Sequence, residues 1–137
     1  MSDTVSSATL AFQRAMPMTR LLDCGMDFAD AQALFRRTSA GEDWDHVAES
    51  LAHAQLERAR QAETAGHRVT AAEAQAAALA DLVFAQMAIN HDNPRKRNLY
   101  GQLALQTRRL CELSELAELP QGRLERVEVP FGERHLI

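Results

Sequence analysis

The sequence predicts an all-α fold, an antiparallel bundle of about four to five helices with a short C-terminal extended segment, and three observations carry that expectation. Polar capping residues stand before apolar stripes of helical spacing at Asp27, Asp43, Thr70 and Asn93, where a short side chain can accept the unpaired amide hydrogens of a first turn. Alanine is dense between Ala48 and Ala88, and small side chains let helix axes approach closely. A period-two pattern of the kind a strand needs is confined to one stretch, Leu124 to Phe131.

Met1 to Ser7, rich in Ser and Thr, reads as a flexible tail. From Ala8 to Cys24 a helical pattern is interrupted by Pro17, and Gly25 stands where a C-terminal stop belongs. Asp27 caps a short helix to about Arg37 on the stripe Phe28, Ala31, Leu34 and Phe35, and Thr38 to Gly41 is the break. Asp43 caps a helix from Trp44 to about Ala65, with Gly66 as its stop; its length is about 33 Å. Thr70 and Glu73 have the spacing of a capping box before Ala74 to Asn90, whose Leu79, Leu82, Val83, Met87 and Ile89 mark the central helix. These two helices form an antiparallel hairpin across His67. Asn93 with Pro94 behind it opens the last helix, striped by Leu99, Leu103, Leu110 and Leu113 and finished before Pro120. Residues 8–120 are thus the bundle, and residues 121–137 an extended segment with Gly132 as a turn before His135. No second copy of the hairpin recurs at the period a solenoid needs.

Charge and composition remove several function classes. A net charge of −4 over 137 residues repels polyanions, so neither nucleic acid nor an anionic membrane surface is an expected partner. Without a secretory signal pattern or an apolar run of membrane-spanning length, the expected location is cytoplasmic. Cys24 and Cys111, far apart and each within a helical pattern, read as buried reduced thiols.

Catalytic chemistry is sparse. Ser39-Ala40-Gly41 approaches a nucleophile elbow, but Arg37 occupies the first glycine position and no strand precedes it. The six glycines form neither a P-loop nor a dinucleotide fingerprint. His46 and His53 lie two helical turns apart, too far to share one metal ion, and read with Glu42 and Glu49 as an exposed helix face. No catalytic residue, metal ligand or cofactor site is expected. Arg95, Lys96 and Arg97 form the one compact basic cluster, read as a solvated first turn that opposes the helix dipole unless something acidic meets it. Trp44 and Tyr100 are expected to be at least half buried, because large aromatics contribute much apolar area.

One resemblance spans about Arg20 to Ile137. It is carried by the run Asp92 to Tyr100, Pro120 and the segment Leu124 to Phe131. Upstream, Gly25-x-Asp27, Trp44, Gly66-His67-x-x-Thr70-Ala71 and Ala85-Gln86 follow in the same order. The chain resembles the passage from helical cap to first strand in the α/β-hydrolases of the fermentation–respiration-switch esterase type. That family also includes dihydroxypseudo-oxynicotine hydrolase and fungal polyketide-shortening hydrolases. The resemblance implies an N-terminal cap or lid that shapes the pocket for an ester, ketone or polyketide substrate over a Ser–Asp–His site. It carries no catalytic residue onto these positions, because the sheet, elbow and oxyanion loop of such an enzyme are not among them. Phe28, Trp44, Met87 and Tyr100 become the candidates for facing the substrate pocket or a partner. The implied partner is a hydrolase catalytic domain, in cis or in trans, with a homo-oligomer through the C-terminal strand as a further association.

Two other function classes stand beside the cap. One is a free-standing helical binding or accessory protein in a biosynthetic pathway, using the hairpin as a docking surface. The other is a small helical enzyme with a pocket inside its own bundle.

Overall fold

A computed structural model describes residues 5–117, 124, 127–132 and 134–136. Six helices and a terminal hairpin follow in chain order: α1 (Ser7–Ala15), α2 (Met18–Asp23), α3 (Phe28–Ser39), α4 (Trp44–Thr64), α5 (Arg68–Met87), α6 (Pro94–Ala117), β1 (Val129–Phe131) and β2 (Arg134–Leu136). The fold is the expected all-α bundle. Residues 1–4 of the expected tail lie outside the described residues, but its last two positions are structured. Ser6 caps α1 by accepting from the Thr9 amide at 3.1 Å, and Ser7 is the first helical residue.

Three helices end in one device. After α2, α3 and α4 the chain passes through Gly25, Gly41 and Gly66, with φ of 90°, 102° and 79°, a region a side chain would strain. In each case two amides turn back onto the last carbonyls. After α4, His67 N–H donates to Ala62 at 2.8 Å and Gly66 N–H to Glu63 at 2.9 Å, the pair of bonds that defines a Schellman closure. Met26 to Leu21 and Glu42 to Arg37 are the equivalents after α2 and α3.

Helix starts follow the sequence less evenly. Asp27 accepts from the Ala29 amide at 2.8 Å, and Asn93 from the Lys96 amide at 2.7 Å. Asp43 stands at the N-cap of α4, yet its carboxylate makes no capping bond. The Thr70–Glu73 capping box does not form either. The Gly66 closure delivers the chain directly into helix at Arg68, and the Ala71 amide already bonds the His67 carbonyl at 2.9 Å, so Thr70 sits inside the first turn. At the other end of the expectation, α3 runs past Arg37 to Ser39 because buried Thr38 donates its hydroxyl to the Leu34 carbonyl at 2.7 Å, which satisfies that hydroxyl without leaving the helix.

The α4–α5 hairpin is the centre of the molecule and is antiparallel as expected. Trp44 at the start of α4 meets Phe84 near the end of α5, while Ala62 near the end of α4 packs with Ala71 and Ala72 at the start of α5. Alanines occupy most of the contact line, including Ala48, Ala52, Ala59, Ala74, Ala78 and Ala85, all buried. Helices α1 to α3 cover the Trp44–Phe84 end and form the larger core with Met16, Leu21, Leu34, Leu82 and Leu99. Helix α6 lies along α5 and closes a second core through Leu110 and Leu113. Each large side chain removed from water there contributes about 1.5–3 kcal/mol.

The C-terminal segment departs from expectation. Leu124 to Phe131 is expected as one strand without a partner in this chain; among the described residues of that stretch, Val129–Phe131 is strand, and it pairs antiparallel with Arg134–Leu136, in the register Val129↔Leu136. Gly132 supplies the expected turn with φ of 60°. Glu125 and Arg126, within the expected strand, and Pro120, the expected end of α6, lie outside the described residues. The segment is tied back to the bundle where the Leu124 amide donates to the buried Ser114 hydroxyl at 3.3 Å.

Candidate functional site

The four residues singled out by sequence take different places. Trp44 is 3% exposed, with Phe12 and Phe35 rings at 5.9 and 6.0 Å. Its indole N–H donates to the Phe84 carbonyl at 3.2 Å, one of the last carbonyls of α5 and so in need of a donor. It is core. Met87 packs, partly buried, against the same core. Phe28 is 57% exposed at the first position of α3. Tyr100, expected to be at least half buried, is 52% exposed. It misses burial because Leu99, next to it on α6, takes the core-facing position. Tyr100 instead lines a shallow recess of about 330 Å3 with Asn90, His91, Asp92, Lys96 and Arg97, none of them among the other three candidates.

In the basic cluster at the start of α6, Arg97 is solvated as expected, whereas Arg95 and Lys96 are partly buried. Arg95 reaches across to α4 and pairs with Asp45 at 2.9 Å and Glu49 at 2.7 Å. Lys96 donates to the Ile89 carbonyl at 2.6 Å, and Arg97 pairs with Asp92 at 2.5 Å. The acidic contacts that the cluster calls for are therefore within the chain. They repeat along α4 and α6. Gln102 donates to Glu49 at 2.6 Å and accepts from the His53 ring at 3.1 Å, and Arg109 pairs with Glu63. Burial disfavours the Glu49 carboxylate, but hydrogen bonds from Gln102 and Arg95 outweigh that and hold its pKa below the ordinary value. His53 is thus a member of this polar seam, and among the described residues no group of three or more His, Cys, Asp or Glu is arranged to hold a metal ion.

Arg95→Ala should lower stability by about 1–2 kcal/mol, because Asp45 and Glu49 are mostly buried and lose their counter-charge together. Urea midpoints at low and high salt check this, and the loss should shrink as salt screens the pairs in the unsubstituted protein.

Where the seam opens, Leu56, Ala59 and Gln75 floor a groove of about 530 Å3 between α4 and α6, rimmed by Arg60, Arg108 and Glu112. Gln75 is held rigidly there by two bonds to Gln106, at 2.9 and 3.0 Å. The rim carries both signs of charge, so the groove has no preference for a strongly charged ligand.

One unexpected group is a carboxyl inside the bundle. Asp81 on α5 is 0% exposed, and neither of its oxygens has a hydrogen-bond partner. Burial, with repulsion from Asp30 and Asp27, pushes its pKa up to about 8. Asp30 is itself raised by burial, opposed by the Gln55 amide that donates to it at 2.5 Å. The Gln55 oxygen is buried without a partner as well. The sequence did carry a signal: Asp81 is the one charged residue between Ala74 and Asn90, in the helix read as central.

The cysteines are both unpaired, but Cys24 is exposed and Cys111 partly so, against the expectation of burial. Cys24 follows the last residue of α2, where Leu21 and Met26 on either side of it take the inward positions. No helix is long and apolar enough to cross a membrane among the described residues.

Beyond the bundle, Val129 at the start of β1 is 51% exposed, and Val127 and Leu124, which precede the hairpin, are 62% and 46% exposed. No protein-family model, no curated protein and no solved structure matches the chain.

Proposed function

We propose that this chain is the N-terminal helical cap of a serine α/β-hydrolase, acting on an ester, ketone or polyketide substrate whose pocket the bundle helps to enclose. The observation that carries this reading is the terminal hairpin. A two-stranded ribbon of three residues a side is marginal in water, and this one leaves Val129, and Val127 just before it, exposed beside an otherwise helical unit. Such a ribbon is the beginning of a sheet. The sequence resemblance supports the same assignment, since its motifs end in the segment that forms the hairpin. The reading assigns the chain no catalytic residue and no cofactor, and places it in the cytoplasm.

Magnitudes favour a sheet-bearing domain over a second copy as the partner. Pairing two such short edges adds about two hydrogen bonds at 0.5–1.5 kcal/mol each, against roughly 4–15 kcal/mol for bringing two free molecules together. A catalytic domain also covers the valines. The alternative, a free-standing binding module, draws on the groove between α4 and α6, whose apolar floor and mixed rim would suit a neutral, amphipathic ligand.

A fluorophosphonate probe, which labels activated serines, tests the proposal. The purified chain should neither take up the probe nor hydrolyse p-nitrophenyl esters, because nucleophile, base and oxyanion donors act together. A partner isolated with it should be labelled, and Val127→Glu with Val129→Glu should abolish that association. Ester turnover that follows the chain through purification would sink the cap assignment.

A further inference from the structure

Three helices meet around buried oxygens that have too few donors. Asp81 on α5 lies just before Phe84, at the end of the hairpin that α1 to α3 cover. It is wholly buried, with neither carboxyl oxygen bonded. Gln55 on α4 is buried too, and its amide nitrogen donates to Asp30 on α3 at 2.5 Å. That bond fixes the amide head beside Asp30, yet the Gln55 oxygen has no donor. Among the described residues, it and the two Asp81 oxygens are the buried side-chain atoms left without partners. The charges that act on Asp81 are Asp30 on α3 and Asp27 at its cap, while Arg58 on α4 acts on Asp30. Helix α5 itself carries no other charge after Ala74.

Buried polar groups are nearly always hydrogen-bonded, and a bare carboxylate buried beside other carboxylates, with no cation on it, is strongly unfavourable. One proton satisfies both orphans. On Asp81 it removes the charge and turns an acceptor into a donor, and the Gln55 oxygen is the buried acceptor that lacks one. We propose that the Asp81 carboxyl is held neutral and donates its O–H to the Gln55 side-chain oxygen, so that the chain Asp81–Gln55–Asp30 clasps α3 to the α4–α5 hairpin. Loss of the proton undoes the clasp. An ionised Asp81 repels the Gln55 oxygen and the Asp30 carboxylate alike, and lifting α3 from the hairpin relieves both by admitting water. The sign follows from the two forms. Closed, Asp81 keeps its proton up to about pH 8; opened to water, it releases it near about pH 3.9. Between those values the closed form holds a proton that the open form has lost, so opening becomes up to about tenfold more frequent per pH unit and levels off above the upper one.

NMR on the full chain tests this in two ways. Carbon shifts of the side chains read the hydrogen bond: the Gln55 carbonyl should move together with the Asp81 carboxyl, at one shared midpoint. Amide exchange, expressed as protection relative to an unstructured chain at the same pH, reads the clasp. The Ala31 and Leu34 amides on α3 should be less protected than Ala78 and Leu82 on α5, and their protection should fall by up to about tenfold per unit between about pH 5 and 8. Asp81→Asn, which keeps a donor for Gln55 and cannot ionise, should make that protection independent of pH. A Gln55 carbonyl that stays still while Asp81 titrates sends the proton elsewhere and overturns the pairing, as does an Asp81 carboxyl already ionised at about pH 6. Protection on α3 that does not change with pH, or that equals that of α5, overturns the clasp. Each of these outcomes is read on the unsubstituted chain, so the case is decided even where the variant misfolds.

Discussion

Trp44→Ala should destabilise the protein by about 3–5 kcal/mol, the range for deleting a large buried aromatic. Three elements lose contacts at once. The indole fills the space between Phe12 on α1 and Phe35 on α3, and its N–H satisfies the Phe84 carbonyl on α5. The cavity would open where α1 to α3 are attached to the hairpin, so those helices should loosen before the Leu110–Leu113 end does. A domain of this size has about 5–15 kcal/mol in total, which makes the loss about a fifth of its stability or more. Trp44→Phe separates the contributions, since it keeps most of the volume and gives up the hydrogen bond, at about 1–2 kcal/mol. Urea unfolding followed by circular dichroism measures both. An alanine variant within about 1 kcal/mol of the parent would remove Trp44 from the centre of the core.

The second large effect concerns pH. Asp81 titrates near 8 in the folded chain and near 3.9 when unfolded, so between those values the folded state holds a proton that the unfolded state has released. Stability contributed by this group is therefore complete below about pH 4 and is lost as pH rises toward 8, by up to about 1.4 kcal/mol per unit. Asp81→Asn keeps the shape of the neutral acid and cannot ionise. The variant should match the parent near pH 4 and exceed it by a few kcal/mol at pH 8. The difference between the two proteins is the quantity to follow, because Glu49 and other carboxylates with lowered pKa act in the opposite sense at acid pH. A difference that does not grow with pH would show Asp81 to be solvated or paired.

Local signals were legible wherever one residue decides the backbone. Asp27, Asn93 with Pro94, Gly25 and Gly66 fix helix ends by their own chemistry, and the structure uses each as read. The Thr70–Glu73 pair failed because a neighbouring signal, the Gly66 closure, acts first in the chain and leaves no room for a second start. Tyr100 and Cys24 failed for another reason. Residue type suggests burial, but position on the helix decides it, and Leu99 and Leu21 hold the inward positions. The basic cluster needed knowledge of which helix lies opposite, since Asp45 and Glu49 are about fifty positions away. For the C-terminal segment the period-two pattern was sound, but three-residue strands are too short to show both members of a hairpin. Of the four candidate residues, Trp44 is core, Met87 packs partly buried against it, and Phe28 and Tyr100 are exposed, a division that apolar character alone does not reveal.

The Gly66 closure also governs the order of events in folding. It joins two long helices through a connection of only a few residues, so the contacts next to the loop, Ala62 with Ala71 and Ala72, are near in sequence, and local contacts favour fast folding. Helix formation and closure of a short loop each take a microsecond or less, which lets α4 and α5 meet before the rest of the chain has organised. Helices α1 to α3 and α6 then have a preformed surface on which to condense. The hairpin is in this sense the nucleus, and changes along its alanine line should slow folding itself, whereas changes in α1 or at the Arg95 pairs should mainly quicken unfolding.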